Sequence, residues 1–193
     1  MTTWAGDTES KPAPGPLARV QALVNTVELP AGPDRLAHPD DAAPWLQANG
    51  LLAEDARPTE AELDQVRKVR EALRALLIHN SGGPPPDADD LAVLRALTDT
   101  SAARVDLGPD GEVRLSAAGE GMGERLLGLL LVMRDAQRDG TWTRLKACAN
   151  DACAWAFYDR SRNRGGTWCD MASCGNMLKN REFRARRRAG GAS

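Results

Sequence analysis

Cysteine is missing from the first 147 residues of this 193-residue chain, and aromatic side chains are few: five Trp, two Phe and one Tyr. No run of about eighteen apolar residues occurs, so no membrane-spanning helix is expected. The opening Met1-Thr2-Thr3-Trp4-Ala5-Gly6-Asp7 has no basic start leading into an apolar stretch, which argues against a secretory leader and for a cytoplasmic protein. Histidine occurs only as His38 and His79, and neither sits beside a nucleophile or a second metal ligand in sequence. The Ser-His-Asp order, the phosphate-binding glycine loop, the dinucleotide fingerprint and the H-E-x-x-H pair are all absent. An enzyme is therefore not expected. The scarcity of aromatics also disfavours base stacking on single strands.

What is present is an uneven distribution of charge. The chain carries a formal net charge of −2. Residues 144–188 hold eleven Lys/Arg against four Asp/Glu, a net of +7, whereas residues 1–143 carry a net of −9. A basic tail on an acidic body points to a polyanionic partner for the tail. The apolar fraction of 42% is ordinary for a globular chain, and the length is enough to bury a core.

Residues 1–15, rich in Pro, Gly, Thr and charge, read as a disordered tail. Leu17, Val20, Leu23, Val24 and Val27 recur at helical spacing up to the Pro30-Ala31-Gly32-Pro33 breaker. A shorter helix is expected over 39–48, with Gly50 as its stop. Thr59 and Glu62 form a capping box ahead of Leu63, Val66, Leu73, Leu76 and Leu77. After a Gly/Pro loop, Asp87 caps a helix bearing Leu91, Leu94 and Leu97. Residues 104–107 and 112–115 alternate with a period of two around Gly108-Pro109-Asp110-Gly111, which predicts a β-hairpin. A helix over 122–138 follows, apolar almost all round, as suits a central core helix or a dimer interface. Trp4, Trp45 and Trp142 read as core or anchor residues.

The four cysteines, Cys148, Cys153, Cys169 and Cys174, all fall in one 27-residue window. Two Cys-x4-Cys pairs separated by fifteen residues match the needs of a tetrahedral zinc, since each pair supplies two sulfurs from one tight turn. Four sulfurs close the coordination shell, so one structural zinc per chain is expected, with no position for a catalytic water. Trp155-Ala156-Phe157-Tyr158 between the pairs has strand character, and the chain after Cys174 turns helical, an arrangement that resembles a treble-clef or ribbon-like finger. The fold class is therefore α+β and mainly α: a helical N-terminal domain with a β-hairpin over 16–140, then a four-cysteine finger with a basic C-terminal helix over 144–189.

The run from Cys148 through Cys153 to Asn163, with Trp168-Cys169-Asp170-Met171 and Cys174-Gly175-Asn176, resembles the CGNR zinc finger. That finger lies C-terminal to an ABATE domain in bacterial proteins described as stress-induced transcription regulators. Val24-Asn25-Thr26, Trp45-Leu46, Gly50-Leu51 and Val69-Arg70-Glu71-Ala72-Leu73-Arg74 extend the resemblance over nearly the whole chain. It implies a zinc-dependent, DNA-binding regulator of transcription in the bacterial cytoplasm, associated with the nucleoid. One position departs from the family: Met177 stands where its arginine would follow Gly175-Asn176, so the contact that arginine makes is either missing or taken over by Lys179 or Arg181.

Two basic clusters are the candidate DNA-binding residues. Arg160, Arg162 and Arg164, with Asn163 among them, lie between the cysteine pairs. Lys179, Arg181, Arg184, Arg186, Arg187 and Arg188 lie on the final helix, where Arg181, Arg184 and Arg188 share one face and Lys179 and Arg186 another. Arg and Lys bind phosphate, while Arg and Asn also read base edges in the major groove. The expected partner is duplex DNA, with RNA or a protein partner as the alternative. Asn25, Arg70 and Arg74 are candidates for a small anionic effector, and a homodimer is a further expectation. Polar helix positions usually face water, and that is the plainer reading of the three.

Overall fold

A computed structural model describes Trp4 and residues 9–176. Five helices run in order: α1 (Leu17–Val24), α2 (Pro39–Ala48), α3 (Glu60–Asn80), α4 (Ala88–Thr100) and α5 (Met122–Arg138). A hairpin of β1 (Ala103–Leu107) and β2 (Val113–Ala117) separates α4 from α5, and β3 (Leu145–Ala147) pairs antiparallel with β4 (Ala156–Tyr158) beyond it.

The element boundaries follow local chemistry closely. At the start of α3 the Thr59 hydroxyl accepts from Glu62 N at 3.2 Å, while the Glu62 carboxylate accepts from Thr59 N at 2.8 Å. Asp87 and Asp90 make the same reciprocal cap on α4. One end differs from expectation. Helix α1 stops at Val24, because the Thr26 hydroxyl donates to Leu23 O and the Asn25 side chain turns to a distant strand. Val27 pairs instead as an isolated bridge with Asp34.

Leu17, Val20, Leu23 and Val24 of α1 pack with Leu63, Val66, Val69, Leu73 and Leu77 of α3, and α5 closes the cluster with Leu126 and Leu129. Leu145, Ala147, Ala156 and Tyr158 belong to this same cluster. The expected division near residues 140–144 therefore runs through one continuous core. The reason is the alternation along the two strands: Leu145 and Ala147 of β3 and Ala156 and Tyr158 of β4 face the helices, with β3 against α3 and β4 against α1.

The expected disordered tail is likewise corrected over 9–15. Ala13 is buried, its N–H donates to Gln21 Oε1 at 2.6 Å, and Lys11 O accepts from Tyr158 N at 2.9 Å. Lys11 Nζ donates to Trp168 O at 2.6 Å and lies 4.9 Å from the Phe157 ring centroid. These contacts, those of Lys11 spanning more than a hundred residues, outweigh a composition that by itself favours disorder.

Because β3 is part of the helical core, Leu145→Ala is expected to destabilise the whole protein by about 2–5 kcal/mol. Urea denaturation followed by helical circular dichroism checks this. An unchanged midpoint of the helical transition would mean that body and module unfold independently.

Candidate metal centre

Cys148 directly follows β3, and its N–H donates to Trp155 O at 2.9 Å, which extends the hairpin toward the metal. The turn between Cys148 and Cys153 closes on Asn150 O, which accepts from Cys153 N at 2.7 Å and Ala154 N at 2.9 Å. Asn150 Oδ1 also accepts from Ala152 N, the local side-chain bond that favours Asn in tight turns. Ala154 takes the left-handed conformation, at φ 44°, and is held there by the turn.

The second pair is shaped by Asp170. Its carboxylate accepts from Ser173 N at 2.9 Å and its carbonyl from Gly175 N at 3.1 Å, winding Met171–Gly175 into a single wide turn. A Cβ at Gly175 would sit 2.4 Å from Met171 Sδ and 3.1 Å from Trp168 Cδ1, so a side chain there would have to displace Met171. The two halves are tied by Ala149 N donating to Thr167 O at 3.0 Å.

These turns bring the four sulfurs within 4.8 Å of one another. Cys153 and Cys169 Sγ are 3.7 Å apart, and Cys169 and Cys174 Sγ are 3.8 Å apart. Sulfurs at about 2.3 Å from a tetrahedral zinc lie about 3.8 Å from each other, so the cage fits that ion. Disulfide bonds, at about 2 Å, do not fit these separations. Asn150 Nδ2 lies 3.7 Å from Cys174 Sγ and donates toward it, an outer hydrogen bond of the kind that orients metal ligands. Four thiols this close oppose one another's full ionisation. Cys148 pushes the Cys153 thiol up to about 12, and Cys148 and Cys153 together push the Cys169 thiol up. Hydrogen bonds from Cys153 and Cys169 hold Cys148 down. A divalent ion removes this conflict by binding all four as thiolates. The centre is a structural zinc site.

Beside the cage lies a feature that motif reading did not reveal. Lys146 and Asp159 are both buried, with Nζ 2.9 Å from Oδ2. Lys146 Nζ also donates to the carbonyls of Arg164 and Gly166, and Asp159 accepts from Ser161 N at 2.9 Å and Gly166 N at 2.7 Å. The pair thus pins both ends of the 159–166 loop from beneath. Burial by itself would raise the Asp159 carboxyl, but the bonds from Ser161, Lys146 and Gly166 outweigh it and hold the group below its ordinary range. A lone Lys in a short strand and a lone Asp after another read as surface residues in sequence, which is why the pair was missed.

On that loop Arg160, Arg162, Asn163 and Arg164 are all exposed. Arg160 Nη2 donates to Pro12 O at 3.0 Å, Arg164 Nη1 to Thr143 Oγ1 at 3.3 Å, and Asn163 Oδ1 accepts from Gly165 N at 3.4 Å. Lys179, Arg181, Arg184, Arg186, Arg187 and Arg188 lie outside the described residues, as does Met177.

The candidate effector residues are placed differently. Arg70 is 5% exposed and bonds Asp34, Glu71 and Thr26; Arg74 is 4% exposed and bonds Glu71, Val24 O and Ala154 O. Asn25 exchanges two bonds with the Ala156 peptide, through Nδ2 to O at 2.9 Å and N to Oδ1 at 2.7 Å, and meets Glu9 as well. All three tie chain segments together. Glu71, between the two guanidiniums, is subject to burial that would raise its carboxyl, yet Arg74 and Arg70 bring it below the ordinary value.

The cage and its setting define a helical domain fused to a four-cysteine zinc finger, and comparison with known families agrees. Residues 17–155 match the family ABATE, described as "putative stress-induced transcription regulator", and residues 144–187 match the CGNR zinc finger. The chain belongs to the ABATE family and carries a CGNR zinc finger. No curated protein matches it. The two family matches overlap over 144–155, the stretch that contains β3, the first cysteine pair and the join to the core.

Metal analysis of the purified protein is expected to return one zinc per chain, and Cys148→Ser or Cys174→Ser to abolish stoichiometric binding; a metal content near zero for the unaltered chain would overturn the site. Asp159→Asn leaves a buried ammonium unpaired, an expected cost of about 3–5 kcal/mol in chemical denaturation at neutral pH. The sign of its pH dependence follows from the lowered Asp159 value. The contribution is complete above the unfolded carboxylate pKa of about 4 and drains as pH falls through the folded value, so the gap between wild type and Asp159→Asn narrows in acid. A gap that widens in acid contradicts the assignment.

Proposed function

We propose that the chain is a transcriptional regulator that binds duplex DNA through its zinc module, with the helical domain as the body that carries it. The observation behind this reading is the presentation of Arg160, Arg162 and Arg164 on an exposed loop pinned from below by the buried Lys146–Asp159 pair. Guanidiniums on a restrained loop lose less entropy on meeting phosphates than those on a free one. The formal charge of residues 144–188 remains about +5 after four thiolates and one Zn²⁺ are counted, so the metal leaves the module basic.

Binding energy in this reading comes chiefly from Arg/Lys–phosphate contacts and the counterions they release. The zinc contributes by folding the loop and cage, and performs no chemistry. The matched families are described as a regulator and a zinc finger, which supports a regulatory role over a catalytic one. Its place of action would be the nucleoid in the cytoplasm, in a response to stress.

Fluorescence anisotropy with duplex DNA over a range of salt tests the proposal. Affinity should fall steeply with salt, and Arg160→Ala/Arg162→Ala/Arg164→Ala should lower the slope by about 0.9 for each phosphate contact removed. Affinity independent of salt, or a slope unchanged in the triple variant, rules out this loop as the contact. Displacement of duplex by RNA at equal salt would favour RNA recognition by the same module.

A further inference from the structure

The β1–β2 hairpin stands out from the rest of the surface. Val105, Leu107 and Val113 are 68%, 74% and 65% exposed, and they share one face because Leu107 pairs with Val113 and Val105 with Leu115. Single exposed apolar residues are unremarkable, but three neighbours on one small sheet form a patch. Helix α5 packs against β2, which leaves β1 as the outer strand.

The hydrogen-bond phase of β1 shows what its free edge presents. Gly108 N donates to Glu112 O at 2.8 Å and Ala118 N to Ala102 O at 2.8 Å. In an antiparallel ladder bonded positions alternate, so 102, 104, 106 and 108 face β2. Ala103, Val105 and Leu107 then aim their N–H and C=O groups away from it. Strand edges are commonly guarded by Lys, Pro or a bulge. Residues 103–107 contain neither residue, and the register with β2 is unbroken.

We propose that β1 pairs antiparallel with β1 of a second copy of this chain across a twofold axis at Val105, joining two hairpins into a four-stranded sheet. This axis sets Val105 opposite Val105 and Ala103 opposite Leu107, all positions with outward-facing backbone groups. It also sets Arg104 of each chain opposite Asp106 of the other. Within one chain Arg104 Nε already donates to Asp106 Oδ1 at 2.8 Å, and Ser116 Oγ donates to Asp106 Oδ2. The dyad closes these into one alternating ring of charges. In-register parallel pairing would set arginine against arginine and aspartate against aspartate, which is unfavourable. Arg114, the other cation of the hairpin, is held by Asp110 and Glu112 at its tip. A five-residue edge is small, so the dimer is a weak one, dissociating at about micromolar concentration. This inference stands apart from the DNA reading, since it concerns a different face and is measured by mass.

Sedimentation equilibrium and native mass spectrometry of the full zinc-loaded chain test it. The wild type should show a reversible dimer at about 10–100 μM, and Val105→Lys should weaken it at least about tenfold while zinc content and circular dichroism stay unchanged. Arg104→Asp and Asp106→Arg should each weaken the homodimer about three- to tenfold. Mixed together, they should form a heterodimer, because one chain then offers two aspartates and the other two arginines. The double exchange in one chain should restore the homodimer. A wild type that stays monomeric across this range overturns the proposal, as does a dimer indifferent to Val105→Lys or a mixture that shows no preference for the heterodimer.

Discussion

The amide of Asn25 meets the peptide of Ala156 with two hydrogen bonds, one in each direction, as a neighbouring strand would. That contact joins the first helix to the metal module, and much of the molecule is organised around it. It ends α1 at Val24, since the Asn25 side chain leaves the helix surface for the strand. It satisfies the open side of β4, so that a two-stranded ribbon can be buried against helices without orphaned backbone groups. Gln21, one turn earlier, also donates to Ala156 O and links Lys11 and Ala13 to the same place. Among the described residues no buried side-chain nitrogen or oxygen lacks a partner.

The zinc centre inherits its position from this join. Cys148 begins where β3 leaves the core, and Arg74, rooted in α3, donates to Ala154 O directly after the first cysteine pair. The first half of the metal-binding segment is also held by hydrophobic burial. Small zinc modules that stand alone depend on the ion for their whole fold. Here the hairpin beside the first cysteine pair also has anchors in the helical core, and a zinc ion bound by the four thiolates would add the Cys169–Cys174 turn to them.

Electrostatics separates the two faces of the module. Beneath the 159–166 loop a buried Lys–Asp pair is fully hydrogen-bonded, the condition under which an ion pair removed from water is tolerated. Above it the arginines meet solvent. Arg70 and Arg74 are buried likewise, paired with Asp34 and with Glu71 at the surface, and their remaining donors reach carbonyls and a hydroxyl. Arg70, Arg74, Lys146 and Asp159, the charged side chains buried among the described residues, are all paired within the protein.

Short-range chemistry was legible in the residues themselves. The caps of α3 and α4, the turn before Val113, the extent of α5 and the four metal ligands all depend on groups a few positions apart, or on spacing that the coordination number of zinc dictates. The folded structure alone decided that 9–15 lie packed, that body and finger share one core, and that Asn25, Arg70 and Arg74 are bound within the protein. It also paired Lys146 with Asp159. Each of these outcomes rests on partners far apart in the chain or on burial, and a polar residue in a sequence carries no mark of whether water or a distant peptide will meet it. Local spacing encodes turns, caps and ligand sets; only packing determines which polar groups leave the solvent.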